Sequence, residues 1–302
     1  MKKRNLIPLA IFIAALILLG NKADKNKPTE GLSARQFKAQ METALAGNDK
    51  GQISKLVRDN EYHVFTFVSH LLKKYLQEER ASNTKSANEH LAHASELAKL
   101  YQQHYNDRIF FDQIELYKNW QPAEQALFLK GDSLINFGVK LAQQGKLPDA
   151  MAQWRESVAI FNQIQDRFSL PSPLKNIALA HRYLGRYRES SDTLGIAIEL
   201  AKKTKNKNSE ADIVREFGTI SHITGNTKAA FDYWQQATKI YEALRDTSAL
   251  GTTMNLFGIY FRNLGQPEQA LSYYQRALEL DRAIKNEPEE GNVLNSIGNI
   301  YM

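Results

Sequence analysis

Small residues recur at a fixed interval through the second half of this 302-residue chain: Gly138, Ala178, Gly218, Gly258 and Gly298 stand 40 residues apart each time. Five further columns keep the same register. Gly145, Gly185, Gly225 and Gly265 come first, followed by Ala150, Ser190, Ala230 and Ala270, and then by Trp154, Leu194, Trp234 and Tyr274. Ser157, Ala197, Ala237 and Ala277 are next, and Ile160, Leu200, Ile240 and Leu280 close the set. Such a period restricts the chain to a stack of like units, because one unit cannot bury its own apolar face and a neighbour must cover it.

Within each unit the last four columns are spaced by four, three and three residues, which is one face of a helix and not the alternation of a strand. A β-propeller of similar repeat length is thereby excluded. The glycine ahead of the second helix suits a left-handed end to the first. Pro148 and Pro267 fall in the opening turn of the second helix, where a missing N–H costs nothing. Each unit therefore reads as helix, tight turn, helix. Small residues let two helices approach closely, and Trp, Leu or Tyr fills the space between them.

These columns resemble the tetratricopeptide repeat, whose small, aromatic, small signature reads here as Gly138, Ala150, Trp154 and Ser157, and again as Gly258, Ala270, Tyr274 and Ala277. The resemblance covers residues 131–302 and implies an all-α fold, a right-handed α-solenoid of helix-turn-helix hairpins. The family's unit is about 34 residues, so each unit here carries about six more. They are seen between units as QDRFSL, KNKNSE, RDTSAL and KNEPEE. Units of this length are similar to those of arrays in bacterial sensor and signalling proteins and in kinesin light chains. Asn162, Lys202, Glu242 and Arg282 replace the family's proline after the second helix, which leaves the helix ends open.

The expected organisation is a signal peptide or signal anchor over residues 1–23 and a linker over 24–31. Degenerate helical hairpins over 32–121 form an N-terminal cap region, and an array of four full units and a truncated fifth spans 122–302. Only the first helix of the fifth unit is written, so the chain is expected to be part of a longer protein or to have that end covered by another chain.

The leader MKKRNLIPLAIFIAALILLG has a basic start and an apolar run from Leu6 to Leu19. That run is short for a membrane span, which needs about 20 residues, and has the length of a signal-peptide core. Export is expected, to the periplasm or extracellular space or anchored at the inner membrane by this segment. The net charge of +6 points toward nucleic acid until it is placed. Lys2, Lys3, Arg4, Lys22, Lys25 and Lys27 stand against Asp24 alone in the leader, so the remainder is near neutral and nucleic acid is not an expected partner. With no cysteine there is no disulfide, thiolate metal site, cysteine nucleophile or lipoprotein anchor.

Catalytic motifs are sparse. Gly131–Leu134 reads GDSL, the name-giving motif of a serine esterase family in which Ser133 would be the nucleophile. No histidine of the chain has the Asp three residues before it that this family requires, and the tetrapeptide falls inside a repeat helix. His90 and His93 share a helix face with His104 further along, but two ligands without Cys or a paired Glu make a weak metal site. Phosphate-binding loops, dinucleotide fingerprints and the G-x-S-x-G elbow do not occur. No enzyme activity, metal or cofactor is expected.

By the resemblance, the first helices line a concave groove into which positions off the packing columns point. These are Asn136, Lys175, Asn176, Arg182, Tyr183, Arg215, Asn255, Arg262, Asn263, Asn295 and Asn299. Acids there are few, chiefly Asp132, Asp212 and Glu216. Asparagine offers a donor and an acceptor and pairs with the backbone of an extended segment whatever its side chains, while Arg and Lys select carboxylates. The expected function is a non-catalytic protein–protein interaction module that grips an extended, acidic peptide or partner protein. A plainer reading, the solvated side of amphipathic helices, explains polarity but not the excess of Asn and Arg over Glu. The alternative function is the sensory or regulatory N-terminal part of a larger signalling protein, since long-unit arrays resemble those fused to histidine kinases or CHAT proteases.

Overall fold

The computed structural model describes residue 32 and residues 34–301. The expected leader and most of the expected linker lie outside the described residues. Among the described residues all regular structure is α-helical, and no helix is long and apolar enough to cross a membrane. Five helices form the N-terminal region: α1 (Ala34–Ala46), α2 (Lys50–Asp59), α3 (Glu61–Arg80), α4 (Thr84–Tyr105) and α5 (Ile109–Asn119). Four hairpins follow, pairing α6 (Pro122–Gln143) with α7 (Leu147–Gln163), α8 (Pro171–Tyr183) with α9 (Tyr187–Lys203), α10 (Lys207–Ile223) with α11 (Thr227–Leu244), and α12 (Thr247–Asn263) with α13 (Pro267–Ala283). The last helix is α14 (Glu287–Tyr301).

The turn inside each hairpin is built the same way. Gly145 has φ +78° and its counterparts Gly185, Gly225 and Gly265 lie between +70° and +84°. The Gly145 N–H donates to Ala142 O at 2.9 Å and the Lys146 N–H to Leu141 O at 2.9 Å, which closes the helix with a left-handed residue. Nothing lies within 4 Å of a Cβ added at any of these four glycines, so their backbone angle, not crowding, requires them.

Between units the same reversal is made without glycine. Gln165, Lys205, Arg245 and Lys285, again 40 residues apart, hold φ between +52° and +57°. An Asp or Asn follows each. Asn206 Oδ1 accepts the Ser209 N–H at 3.0 Å and Asp246 Oδ1 accepts the Ala249 N–H at 3.0 Å, so these side chains start the next helix. The six extra residues per unit, read from the sequence as lying between units, are therefore mostly helix in three of the four cases. After KN, RD and KN the chain is already helical, so four of those six residues belong to the first helix of the next unit. Only QDRFSL is a longer connection, with α8 beginning at Pro171.

Inside each hairpin, glycine and aromatic are matched in size. A Cβ at Gly138 would lie 2.4 Å from Trp154 Nε1, one at Gly218 2.5 Å from Trp234 Cδ1, and one at Gly258 2.2 Å from Tyr274 Cε1. Closeness also satisfies the buried ring N–H: Trp154 Nε1 donates to Ile135 O at 3.1 Å and Trp234 Nε1 to Arg215 O at 3.2 Å. In the second unit Ala178 replaces glycine and the smaller Leu194 replaces the aromatic, and both are buried. Two serines on the small columns tie the paired helices together, Ser157 Oγ donating to Gly131 O at 2.9 Å and Ser190 Oγ to Ala178 O at 2.6 Å.

The N-terminal region does more than close one end of the array. Tyr117 on α5 stacks on Trp120 at 4.2 Å and donates its O–H to Asp166 Oδ2 at 3.2 Å, in the turn after α7. Asp107 pairs with Lys205 at 3.4 Å in the turn after α9, and Arg245 Nη1 in the turn after α11 donates to Asp59 O at 3.0 Å. The end of α2, the turn between α4 and α5, and α5 thus lie against three successive inter-unit turns.

One core column carries an exception. Phe161 and Tyr241 occupy it in the first and third units, and in the fourth the residue is Asp281, fully buried with Oδ2 lacking a hydrogen bond. Burial pushes its carboxyl up to about 6 from the usual 3.8, with Glu289 reinforcing and the Asn286 amide opposing. A raised folded-state value means that the group favours folding while protonated, and that this contribution is lost as pH rises from about 4 through about 6. Asp281→Asn is therefore expected to raise the melting temperature at pH 7.5, by the equivalent of about 1–2 kcal/mol. Below pH 4 the gain disappears, so thermal melts of the two proteins across pH 4–8 check the assignment.

Candidate functional site

The residues nominated for catalysis are not assembled into a site. Ser133 is exposed in the middle of α6, where the GDSL stretch is simply helix. No group of three His, Cys, Asp or Glu side chains is gathered around a common point among the described residues. His104 Nε2 instead meets Ser54 Oγ at 3.1 Å.

The groove candidates fall into two groups. Lys175 and Arg182 are committed to carboxylates of the neighbouring first helix, and Arg215 to carboxylates of its own. Lys175 Nζ on α8 lies 2.5 Å from Asp212 Oδ2 on α10, and Arg215 Nη2 lies 3.8 Å from Asp212 Oδ1 and 3.9 Å from Glu216 Oε1. Tyr241 of α11 donates its O–H to Asp212 Oδ1 at 2.8 Å. Burial alone would push the Asp212 carboxyl up; Lys175 and Arg215 outweigh it and leave the group below its ordinary 3.8. Arg182 Nε is 3.2 Å from Glu216 Oε2, a charge contact without hydrogen-bond geometry, and its guanidinium lies 4.4 Å over the Tyr183 ring. Lys175 and Arg182 join α8 to α10, and all three cations already face carboxylates.

The second group is uncommitted. Asn176 on α8 and Asn255 on α12 are half-buried, and neither makes a hydrogen bond among the described residues. Asn255 Oδ1 is inaccessible to water and still lacks a donor, a costly state for a buried acceptor. Arg262 is half-buried and its one polar contact is with Asn263 Oδ1 at 3.5 Å. Asn263 in turn meets His222 Nε2 at 3.1 Å, and burial holds the His222 imidazole below its usual 6.5. Asn136 is tied to its own helix, Nδ2 donating to Asp132 O at 3.0 Å. Asn295 and Asn299 are exposed on α14, and Tyr183 sits at the end of α8, 68% exposed.

Sequence reasoning found the acids but missed their role. Lys175 and Asp212 are 37 residues apart, one period less about a helical turn, so a cation on one first helix meets an acid one turn earlier on the next. That offset was available as a signal.

Residues 209–283 match the sequence profile of the tetratricopeptide repeat. No curated protein is similar enough in sequence to count as a relative. Among solved structures, the Rap conjugation gene regulator of plasmid pLS20, in complex with the Phr* peptide, is 13% identical, with 75% of this chain aligned to 78% of that one and a TM-score of 0.50. Aspartyl phosphate phosphatase F from Bacillus subtilis is 12% identical over 98% of this chain and 78% of its own, with a TM-score of 0.49. BtubC from P. vanneervenii is 14% identical over 74% of this chain and 92% of its own, at 0.47. At such identities the likeness is one of fold. Taken with the hairpins that repeat every 40 residues from α6 onward, the match identifies this as a chain that carries a tetratricopeptide-repeat array.

Proposed function

We propose that the chain is a protein-interaction module that holds an extended partner segment along its first helices, with no reaction of its own. The observation that carries this reading is the unpaired state of Asn176 and Asn255 on α8 and α12. Asparagine there supplies donors and acceptors to a peptide backbone, and the buried Asn255 acceptor is stabilised once a donor reaches it. Preference for acidic segments, on this reading, comes from Arg262, because Lys175, Arg182 and Arg215 already have partners. The Rap regulator of similar fold was solved with a peptide, which agrees with such a use of the fold. Export remains part of the proposal on the strength of the apolar run Leu6–Leu19.

The test is a peptide selected on the full chain from a random display library. Asn176→Ala combined with Asn255→Ala is expected to weaken its binding at least ~10-fold, the loss of about 1.4 kcal/mol. The melting temperature should hold or rise, since an unsatisfied buried acceptor has been removed. Binding and melting temperature falling together would contradict the reading. Arg262→Glu should weaken acidic peptides further, and more so at low salt.

A further inference from the structure

Arg182, His222 and Arg262 stand 40 residues apart in one column of the first helices, so the third unit places a titratable ring where its neighbours place arginine. His222 lies in the last turn of α10, and its Nε2 meets Asn263 Nδ2 at the end of α12 at 3.1 Å. Asn263 Oδ1 in turn accepts from Arg262 Nη2 at 3.5 Å, the one hydrogen bond Arg262 makes among the described residues. The preceding junctions have nothing equivalent, since the same pair of positions reads Arg182 with Ile223 and Ala142 with Tyr183.

These contacts have a fixed direction. Arginine carries donors only, so the amide turns its oxygen to Arg262 and its NH2 to His222. An NH2 group donates to a bare ring nitrogen, which makes His222 neutral with its hydrogen on Nδ1. That Nδ1 is shielded from water and meets no acceptor among the described residues, so the neutral ring is held through Nε2 alone. Its other neighbours are the Trp234 ring of α11 at 5.5 Å and the Tyr260 ring of α12 at 6.3 Å. Tyr260 stays neutral, its hydroxyl pushed up by burial and by Asp232 of α11. Burial alone lowers the His222 imidazole, with no charged group acting on it, while Arg182, Arg215 and Glu216 in the same groove face one another. An imidazolium formed here has no carboxylate to meet among the described residues.

A proton on Nε2 reverses the order of donors and acceptors. Two donors then face each other, and the Asn263 amide turns over to give its oxygen to the imidazolium, a charge-assisted bond in place of the longer one to Arg262. Arg262 is left facing the amide NH2 and loses its acceptor. We infer that His222 is the proton-controlled element of the groove: once protonated it releases Arg262 through Asn263, and both cations take up carboxylates of an acidic segment, which binds more tightly in mild acid. This rests on the groove reading above, in which Arg262 selects acidic ligands, and adds its regulation. By linkage, a bound acidic segment also raises the proton affinity of His222.

The test uses the full chain and an acidic peptide from the display selection, with affinity measured from pH 7.5 to 5 at constant ionic strength. Binding is expected to tighten ~5-fold or more as pH falls below the ordinary 6.5 of histidine. The same peptide with Gln and Asn for its acids should show no such gain. His222→Gln should bind the acidic peptide without the gain, although it keeps Asp281, whose carboxyl titrates in the same range. Asn263→Ala deprives Arg262 of its acceptor at every pH and should bind more tightly than the parent at pH 7.5. In the free chain the Asn263 side-chain NH2 resonances should move with the His222 ring at one midpoint and stay still in His222→Gln. Asn176→Ala with Asn255→Ala should weaken binding at every pH and keep the gain. An equal gain in His222→Gln and the parent overturns this inference and leaves the groove reading standing, as does an Asn263 amide that does not follow His222. Unchanged affinity in Arg262→Glu at pH 5.5 defeats both this inference and Arg262 as the acid-selecting residue.

Discussion

Gly258→Ala is expected to lower the stability of the array by about 2–3 kcal/mol, at the upper end of what overpacking a core costs. The added methyl would stand 2.2 Å from Tyr274 Cε1 and 2.4 Å from Cδ1. Tyr274 is fully buried and cannot swing away, and α12 and α13 must separate to admit one carbon. The second unit already shows how the conflict is relieved, with Ala178 facing Leu194. Gly258→Ala combined with Tyr274→Leu should accordingly lose less than the sum of the two single changes. Urea unfolding of the parent, both single variants and the double variant closes that cycle. Additive losses would mean that the size match between the columns is not what fixes the spacing of the helices.

Asp212→Ala is expected to cost about 2–3 kcal/mol, somewhat under the 3–5 typical of breaking a fully buried pair, because these side chains keep some solvent. One carboxylate serves Lys175 on α8, Arg215 on α10 and the Tyr241 hydroxyl on α11. Its removal leaves two half-buried cations side by side and a buried hydroxyl without its acceptor. Since the folded-state carboxyl titrates below its ordinary 3.8, its contribution is present above about pH 4 and is lost as pH falls below that. The gap between parent and variant should therefore be constant from pH 5 to 8 and shrink in acid. Amide exchange adds a positional readout: α8 and α10 lose protection while α1 to α4 do not.

Asp281 and Asp212 show in contrast how one residue type is read by its surroundings. Asp212 has two cations and is held ionised; Asp281 has Glu289 nearby, no cation in contact, and titrates near 6. The columns alone do not separate the two; for Asp212 the 37-residue offset from Lys175 does so.

The helices and their order were legible because the repeat states the same solution four times: glycine at 138, 218 and 258 only makes sense opposite Trp154, Trp234 and Tyr274. The inter-unit turns were harder. Lys205 and Arg245 adopt a left-handed conformation that most sequences assign to glycine, and the Asn206 and Asp246 that start the next helix were hidden inside what looked like an insertion. In the groove, residue types were legible and their commitments were not. Lys175, Arg182 and Arg215 were chosen for charge; the first two face acids contributed by the next first helix, and Arg215 faces Asp212 and Glu216 of its own. Asn176 and Asn255 stand out among the groove candidates only once the partners of the others are known. The contacts of Tyr117, Asp107 and Asp59 with three inter-unit turns carry no repeated signal, because each acts once.

The measurement that reaches the central claim most directly is amide hydrogen exchange of the full chain, with and without a saturating concentration of a peptide selected on it. Gripping of an extended segment by the first helices predicts new protection in α8, α10 and α12 around Asn176 and Asn255, absent in the Asn176→Ala, Asn255→Ala variant. Protection confined to the second helices α9, α11 and α13, or protection that survives loss of both asparagines, would contradict it.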